Sequence, residues 1–235
     1  MQKITPFLWF DTQAEEAAKL YTSLFKNSKI GTVSRYPDEL PPEIPGTPGA
    51  VMTVAFNLNG YEFGAINGGP YFTKNPSISF FIGCTSEEEV ERFWNAFVDG
   101  GKALMELGEY PFSKKYGWIE DKFGVSWQIM LNGEDQTIKP SFLFVGEQAG
   151  KAKEAIELYT SLFDNSSIES TMPYEGAEGP ADHLKYAAFN LAGQHFVAMD
   201  SGLEHKFSFN EGVSLAISTK GQEETDHFWY KLIAD

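Results

Sequence analysis

The pentapeptide Tyr21-Thr22-Ser23-Leu24-Phe25 recurs unchanged as Tyr159-Thr160-Ser161-Leu162-Phe163, and this repetition decides the fold. Working outward, Phe56-Asn57-Leu58 returns as Phe189-Asn190-Leu191 and Phe93-Trp94 as Phe228-Trp229, at a spacing of roughly 135 residues. The chain therefore reads as a tandem duplication, residues 1–133 and 137–235. Around the pentapeptide, Ala14, Ala17, Ala18, Tyr21, Leu24 and Phe25 form the apolar stripe of a half-buried helix, copied by Ala152, Ala155, Ile156, Tyr159, Leu162 and Phe163. Each copy divides again. Ser77 to Ile82 reads as a strand, and Ser86 with Glu89 three residues on is the reciprocal cap that opens a second helix. That helix is expected to bury Val90, Phe93, Trp94 and Phe97, and its copy Thr225, Phe228, Trp229 and Leu232. Extended runs follow the helices: Met52 to Leu58 and Tyr61 to Ile66 around the tight turn Asn59-Gly60, then Gly117 to Glu120 and Val125 to Leu131. The result is an α+β fold of strand–helix–strands modules, at about 1–69, 76–131, 137–201 and 207–235.

By this count the second copy is incomplete, because the three strands that should follow its last helix are missing before Asp235. The expectation is a shortened chain with a less stable second domain, or a partner chain that fills the gap through a symmetric homodimer. The segment Tyr36 to Gly49 carries Pro37, Pro41, Pro42, Pro45 and Pro48, too many ring-locked residues for a helix or central strand. It reads as a surface loop, either a solvated connection or a lid over a pocket.

A formal charge of −15 repels a phosphate backbone, and Lys and Arg are scattered, so nucleic acid is not an expected partner. Cys84 is the only cysteine, which excludes an internal disulfide and a Cys-rich metal site; it reads as a small apolar filler rather than a nucleophile. No apolar run reaches the length of a membrane span or of a signal peptide's core. A soluble, cytoplasmic protein is expected.

Strand side chains alternate between two faces. Ile78, Phe80 and Ile82, with Val125, Trp127 and Ile129, belong to a face packed on helices, as do Tyr61, Phe63 and Ala65, and Met52, Val54, Phe56 and Leu58. The other face holds Thr5, Phe7 and Trp9; Thr53, Ala55 and Asn57; Glu62, Gly64 and Ile66; Ser77, Ser79 and Phe81; and Ser126, Gln128 and Met130. Aromatic walls with a few polar groups are the composition of a partly wet small-molecule pocket; a solvent-exposed sheet face with stray aromatics is the alternative. Phe7, Trp9, Glu62, Ser77, Ser79 and Gln128 are expected to converge on one cavity, with Thr5 and Ser126 lining it.

Two segments, Ile4-Thr-Pro-Phe-Leu-Trp-Phe10 leading to the pentapeptide and Gly117-Trp-Ile-Glu-Asp-Lys-Phe-Gly-Val-Ser-Trp-Gln128, resemble the PhnB-like branch of the vicinal oxygen chelate superfamily, which includes glyoxalase I, bleomycin-resistance proteins and extradiol dioxygenases. The resemblance implies βαβββ modules paired around a cavity. In metal-using members two side chains per module hold a divalent ion; aligned here, those positions are Thr5, Gly64, Ser77 and Gln128 in the first copy and Lys139, Val197 and Gly212 in the second. Such an ion needs several His or carboxylate ligands, so neither a metal nor a cofactor is expected. Relatives are often labelled 3-demethylubiquinone 3-methyltransferases, yet no Gly-rich turn follows a strand and opens a helix as in Rossmann-like transferases. All four histidines lie in the second copy, and by parity His195 faces its cavity, as a wall residue or a base. The leading expectation is a metal-free binding protein for a small, partly aromatic molecule. The alternatives are an enzyme (lyase, isomerase or the labelled methyltransferase) with Glu62 or His195 as base, and a structural duplication without ligand.

Overall fold

The structure, a computed structural model, describes residues 2–41 and 46–233. The chain runs β1 (Ile4–Phe10), α1 (Ala14–Leu24), β2 (Lys29–Arg35), β3 (Val51–Leu58), β4 (Tyr61–Asn67), β5 (Ile78–Cys84), α2 (Glu87–Val98), β6 (Lys102–Tyr110), β7 (Ser113–Glu120), β8 (Ser126–Leu131), β9 (Thr137–Phe144), α3 (Ala152–Leu162), β10 (Ser167–Pro173), β11 (Leu184–Leu191), β12 (Gln194–Asp200), β13 (Val213–Ile217) and α4 (Gln222–Leu232). Three βαβββ modules and the strand and helix of a fourth are thus in sequence, as the repeats require. β2, β6 and β10 carry no apolar alternation that would mark them beforehand; β10 is exposed along its whole length.

The compact units follow the repeats except at the ends. One unit holds residues 6–140 and 209–214, the other residues 1–5, 141–208 and 215–235. In the first, β1 pairs in parallel with β4, which continues antiparallel to β3 and β2. Residues 209–214 lie along β1, where Gly212 O accepts from Trp9 N at 3.0 Å. A separate set, β5 parallel to β8 and then antiparallel β7 and β6, forms the second module.

Between these sheet segments sits one aromatic core. α1 contributes Ala14, Ala17, Ala18 and Tyr21, and α2 contributes Val90, Phe93, Trp94 and Phe97. Leu8, Phe10, Val54, Phe56, Leu58 and Phe63 enter from one segment, and Phe80, Ile82, Trp127 and Ile129 from the other. Phe63 meets Phe80 at 5.2 Å and Tyr21 meets Trp127 at 5.1 Å between ring centroids. The strand parity read from the sequence is therefore the observed one, and it carries a consequence: because both segments turn their apolar faces to the same core, their polar faces point away from each other. A buried carboxylate fastens this core. Asp121 accepts from the Tyr21 hydroxyl at 2.7 Å, the Trp127 indole at 2.9 Å, and the backbone N–H groups of Phe123 and Val125.

In the other unit, α3 lies on the β11 and β12 strands, and Phe142 stacks near Phe189 and Phe196. Lys3 reaches Glu224 and the Ser218 carbonyl, each at 2.6 Å, and the Gln194 amide holds both the N–H and the C=O of Ile4. One expectation fails here: of Thr225, Phe228, Trp229 and Leu232, only Phe228 is buried, packed at 4.7 Å on Phe163. Among the described residues, nothing on the outer side of α4 plays the part that β6 and β7 play for α2. The expectations for Pro42, Pro45 and the end at Asp235 lie outside the described residues.

Candidate functional site

β7 and β8 are antiparallel and β8 and β5 parallel, so their polar faces form rows of facing residues. Ser79, Ser126 and Glu120 stand in one row, and Phe81, Gln128 and Trp118 in the next. Diagonal bonds tie the rows together. The Tyr116 hydroxyl donates to Gln128 Oε1, Gln128 Nε2 donates to Ser79 Oγ at 2.7 Å, and Trp118 Nε1 donates to Ser126 Oγ at 2.8 Å. In these bonds both serine oxygens are acceptors. Their two hydroxyl hydrogens, on facing residues, remain to be donated.

Ser77, Ser79, Ser126 and Gln128 are buried, and half-buried Phe81, Trp118 and Met130 are their neighbours on the same face. Tyr116 packs edge-on to Phe112 at 5.0 Å and to Tyr110 at 5.5 Å, extending the aromatic wall. Burial pushes the Tyr116 phenol well above its ordinary value, so it acts as a neutral donor. Glu120, the one carboxyl in the rows, is raised above its ordinary value, mainly by burial.

Of the six residues expected to converge on one cavity, the structure brings Ser79 and Gln128 together with Ser126, and Ser77 is buried just before β5, whereas Phe7, Trp9 and Glu62 belong to the β1–β4 segment on the far side of the core. Thr5 falls in the other compact unit. Parity assigns a face to each strand but not the sheet segment that presents it, and this caused the error. Phe7 and Trp9 instead fill their own face: a Cβ on Gly64 would come within 2.4 Å of the Phe7 ring and one on Gly68 within 2.1 Å of Trp9. Trp9 is pinned by its indole bond to Gly69 O at 2.8 Å.

His195, on β12, has a partner that sequence did not reveal. Its Nδ1 lies 2.8 Å from Glu169 Oε1, a residue brought two strands across by the irregular register at Ile168 and Ser170 of β10. Cys84 is fully buried, its thiol pushed up to about 12 by burial, in keeping with a filler. A cavity of about 390 Å³ lies beside the described part of the Pro-rich loop, lined among others by Asp11, Glu15, Tyr36 and Asn67. None of those four was singled out by pattern.

The metal-ligand positions do not fit a divalent ion. Gly64 has no side chain and the Phe7 ring occupies its place, while Gln128 spends its amide on Tyr116 and Ser79. Among the described residues no three His, Cys, Asp or Glu stand close enough to share an ion. Nor is any helix among them long and apolar enough to cross a membrane.

Comparison with known proteins agrees with the repeat. The family described as 3-demethylubiquinone-9 3-methyltransferase matches twice, over residues 2–130 and 136–235. Among solved structures, a PhnB protein from Bacillus cereus is 46% identical, with a TM-score of 0.50, covering 55% of this chain and 99% of its own. Glyoxalase I from Zea mays matches at 12% identity and a TM-score of 0.55, over 86% of this chain and 68% of its own, which speaks for the fold alone. No curated protein sequence matches the chain.

Proposed function

Since the chain belongs to the 3-demethylubiquinone-9 3-methyltransferase family, in the PhnB-like group with the vicinal oxygen chelate fold, we propose that it binds a small oxygen-bearing aromatic molecule without a metal. The observation that carries this reading is the pair of facing serines, Ser79 and Ser126, each accepting one bond and left with a hydroxyl hydrogen to donate. A carbonyl or phenolic oxygen would take both hydrogens, and Phe81, Trp118 and Tyr116 would flank its ring. The substrate class in the family's name, a ring bearing oxygen substituents, has this chemistry. Binding by hydrogen bonds and stacking requires no charge on the ligand, which suits a face built mainly of hydroxyl, amide and aromatic groups. The test is ligand-observed NMR with a panel of monocyclic phenols and aryl ketones. Compounds that bind the native chain should lose binding in the Ser79→Ala/Ser126→Ala double variant; undiminished binding would contradict the reading.

The contact of Glu169 with His195 favours a second reading, an enzyme with a general base. A carboxylate on Nδ1 holds the proton there and leaves Nε2 as the basic nitrogen. If so, turnover of any panel compound falls by about 10²–10⁴ in His195→Gln and by less in Glu169→Gln; equal rates in all three proteins would exclude it.

A further inference from the structure

The two copies close the loops after β2 and β10 in the same way and differ in what stands beneath them. In the first, Tyr36 N donates to Ala50 O at 2.9 Å and Ala50 N to Thr47 O at 3.0 Å; in the second, Tyr174 N donates to His183 O at 3.1 Å and His183 N to Pro180 O at 3.0 Å. Each tyrosine hydroxyl donates to the carbonyl of the residue that ends a strand, Asn67 of β4 or Asp200 of β12. Each ring lies on a glycine: a Cβ on Gly46 would approach Tyr36 to 2.8 Å, and one on Gly179 would approach Tyr174 to 3.0 Å. Ala50 and His183 are therefore equivalent positions, a methyl group in one copy and an imidazole in the other.

The imidazole reaches the start of the following helix. A Cβ on Gly150, two residues before α3, would lie 2.7 Å from His183 Nε2. The residue two before α1 is Thr12, and Thr12 and Ala50 both line the cavity of about 390 Å³ walled by Tyr36 and Asn67. The space that the second copy fills with its own ring is thus open in the first. Its polar groups differ as well. His183 Nδ1 is buried with no hydrogen-bond partner among the described residues. Counted from the helix starts, Ala149 and Lys153 stand where the first copy has Asp11 and Glu15. Both of those carboxylates line the cavity. Glu15 is kept ionised by Lys19 at 2.7 Å, and Asp11 has no partner among the described residues. The Asn67 amide is spent on Ala14 N and Val51 O, which leaves the two carboxylates to meet a guest.

We infer that this cavity is a second binding site, one for a small protonated heterocycle of the imidazole class, with Asp11 and Glu15 accepting its N–H groups and its ring seated as His183 seats its own. The second copy's occupant selects a ring. Two carboxylates, with no cationic side chain among the described lining residues, select a cation. The volume is that of a small-molecule pocket. The site is separate from the serine face, since none of its described lining residues belongs to β5, β7 or β8.

The test titrates imidazole into the untagged full chain at about pH 6, where the ring is protonated, with its neutral isostere pyrazole as the control, and follows backbone amide shifts by NMR. Saturable shifts are expected at residues 11–15, 36 and 47–51, with pyrazole weaker by about fivefold or more. Ala50→His, which supplies the first copy with the second copy's ring, should abolish them. Asp11→Asn/Glu15→Gln, whose altered side chains reach solvent and whose melting should match the native chain, should weaken imidazole by about fivefold and decides the matter if Ala50→His does not fold. The inference is overturned by the absence of saturable shifts, by equal binding of pyrazole, or by undiminished binding in either folded variant. Shifts confined to β5, β7 and β8 also overturn it, since they put imidazole on the serine face.

Discussion

Gln128 is an amide placed where it must both give and receive. Replacing it with Leu removes the acceptor of the Tyr116 hydroxyl and the donor to Ser79, between side chains that are themselves buried. The expected cost is about 1–3 kcal/mol of stability, because two buried polar groups lose a partner, together with loss of ligand binding. Urea unfolding and the ligand-observed NMR screen check the two effects separately, and a variant as stable as the native chain would contradict the first. Lys74 provides a pH test. Its amine is buried, bonded to Trp9 O and seated 4.0 Å from the Phe10 ring centroid, and burial lowers its pKa from 10.5 to about 8 against the opposing pull of Asp121 and Glu120. Between about pH 8 and 10 the unfolded chain retains a proton that the folded chain has released, so this group's contribution to stability rises with pH. The native chain should gain on the order of 1–2 kcal/mol relative to Lys74→Met across that window. A stability difference that stays flat between the two pH values would show that the amine titrates normally.

At the scale of elements, the two first-type helices share a device that no local pattern discloses. Neither α1 nor α3 is capped by its own N-terminal side chain. Asn67, at the end of β4, accepts from Ala14 N at 2.9 Å and donates to Val51 O. Asp200, at the end of β12, accepts from Gly150 N, Ala152 N and Leu184 N. Asn67→Ala should cost about 1–2 kcal/mol, as loss of a helix cap does. Asp200→Ala should cost more, since three N–H groups lose one acceptor. Thermal melts of the two variants decide the order, and the reverse order would contradict this account. These residues explain what was legible beforehand. The α2 cap was visible because Ser86 and Glu89 are three residues apart in sequence, whereas Asn67 and Ala14 meet only through the fold. Core strands such as β8 declared themselves by alternation; β10, exposed throughout, had no apolar face to declare.

For the molecule as a whole, the duplicated pentapeptide yielded the module count, and parity yielded the face of every core strand. What neither could yield was the shared core: Phe63 against Phe80 places the modules of the first copy back to back, so Ser79 and Gln128 are parted from Phe7 and Trp9. The candidate site is accordingly narrower than pattern alone implied, confined to β5, β8 and β7, and it contains Tyr116, which no motif singled out, and Trp118, which the Gly117–Gln128 segment held without a role assigned to it. The function proposed for this face is metal-independent capture of a small aromatic molecule. Native mass spectrometry of the chain after chelator dialysis, recorded with the tightest phenol or aryl ketone from the NMR panel, tests it most directly. The account predicts a one-to-one adduct that carries no metal ion and disappears in the Gln128→Leu variant. An adduct that forms only when a divalent ion is restored, or that persists unchanged in Gln128→Leu, would contradict it.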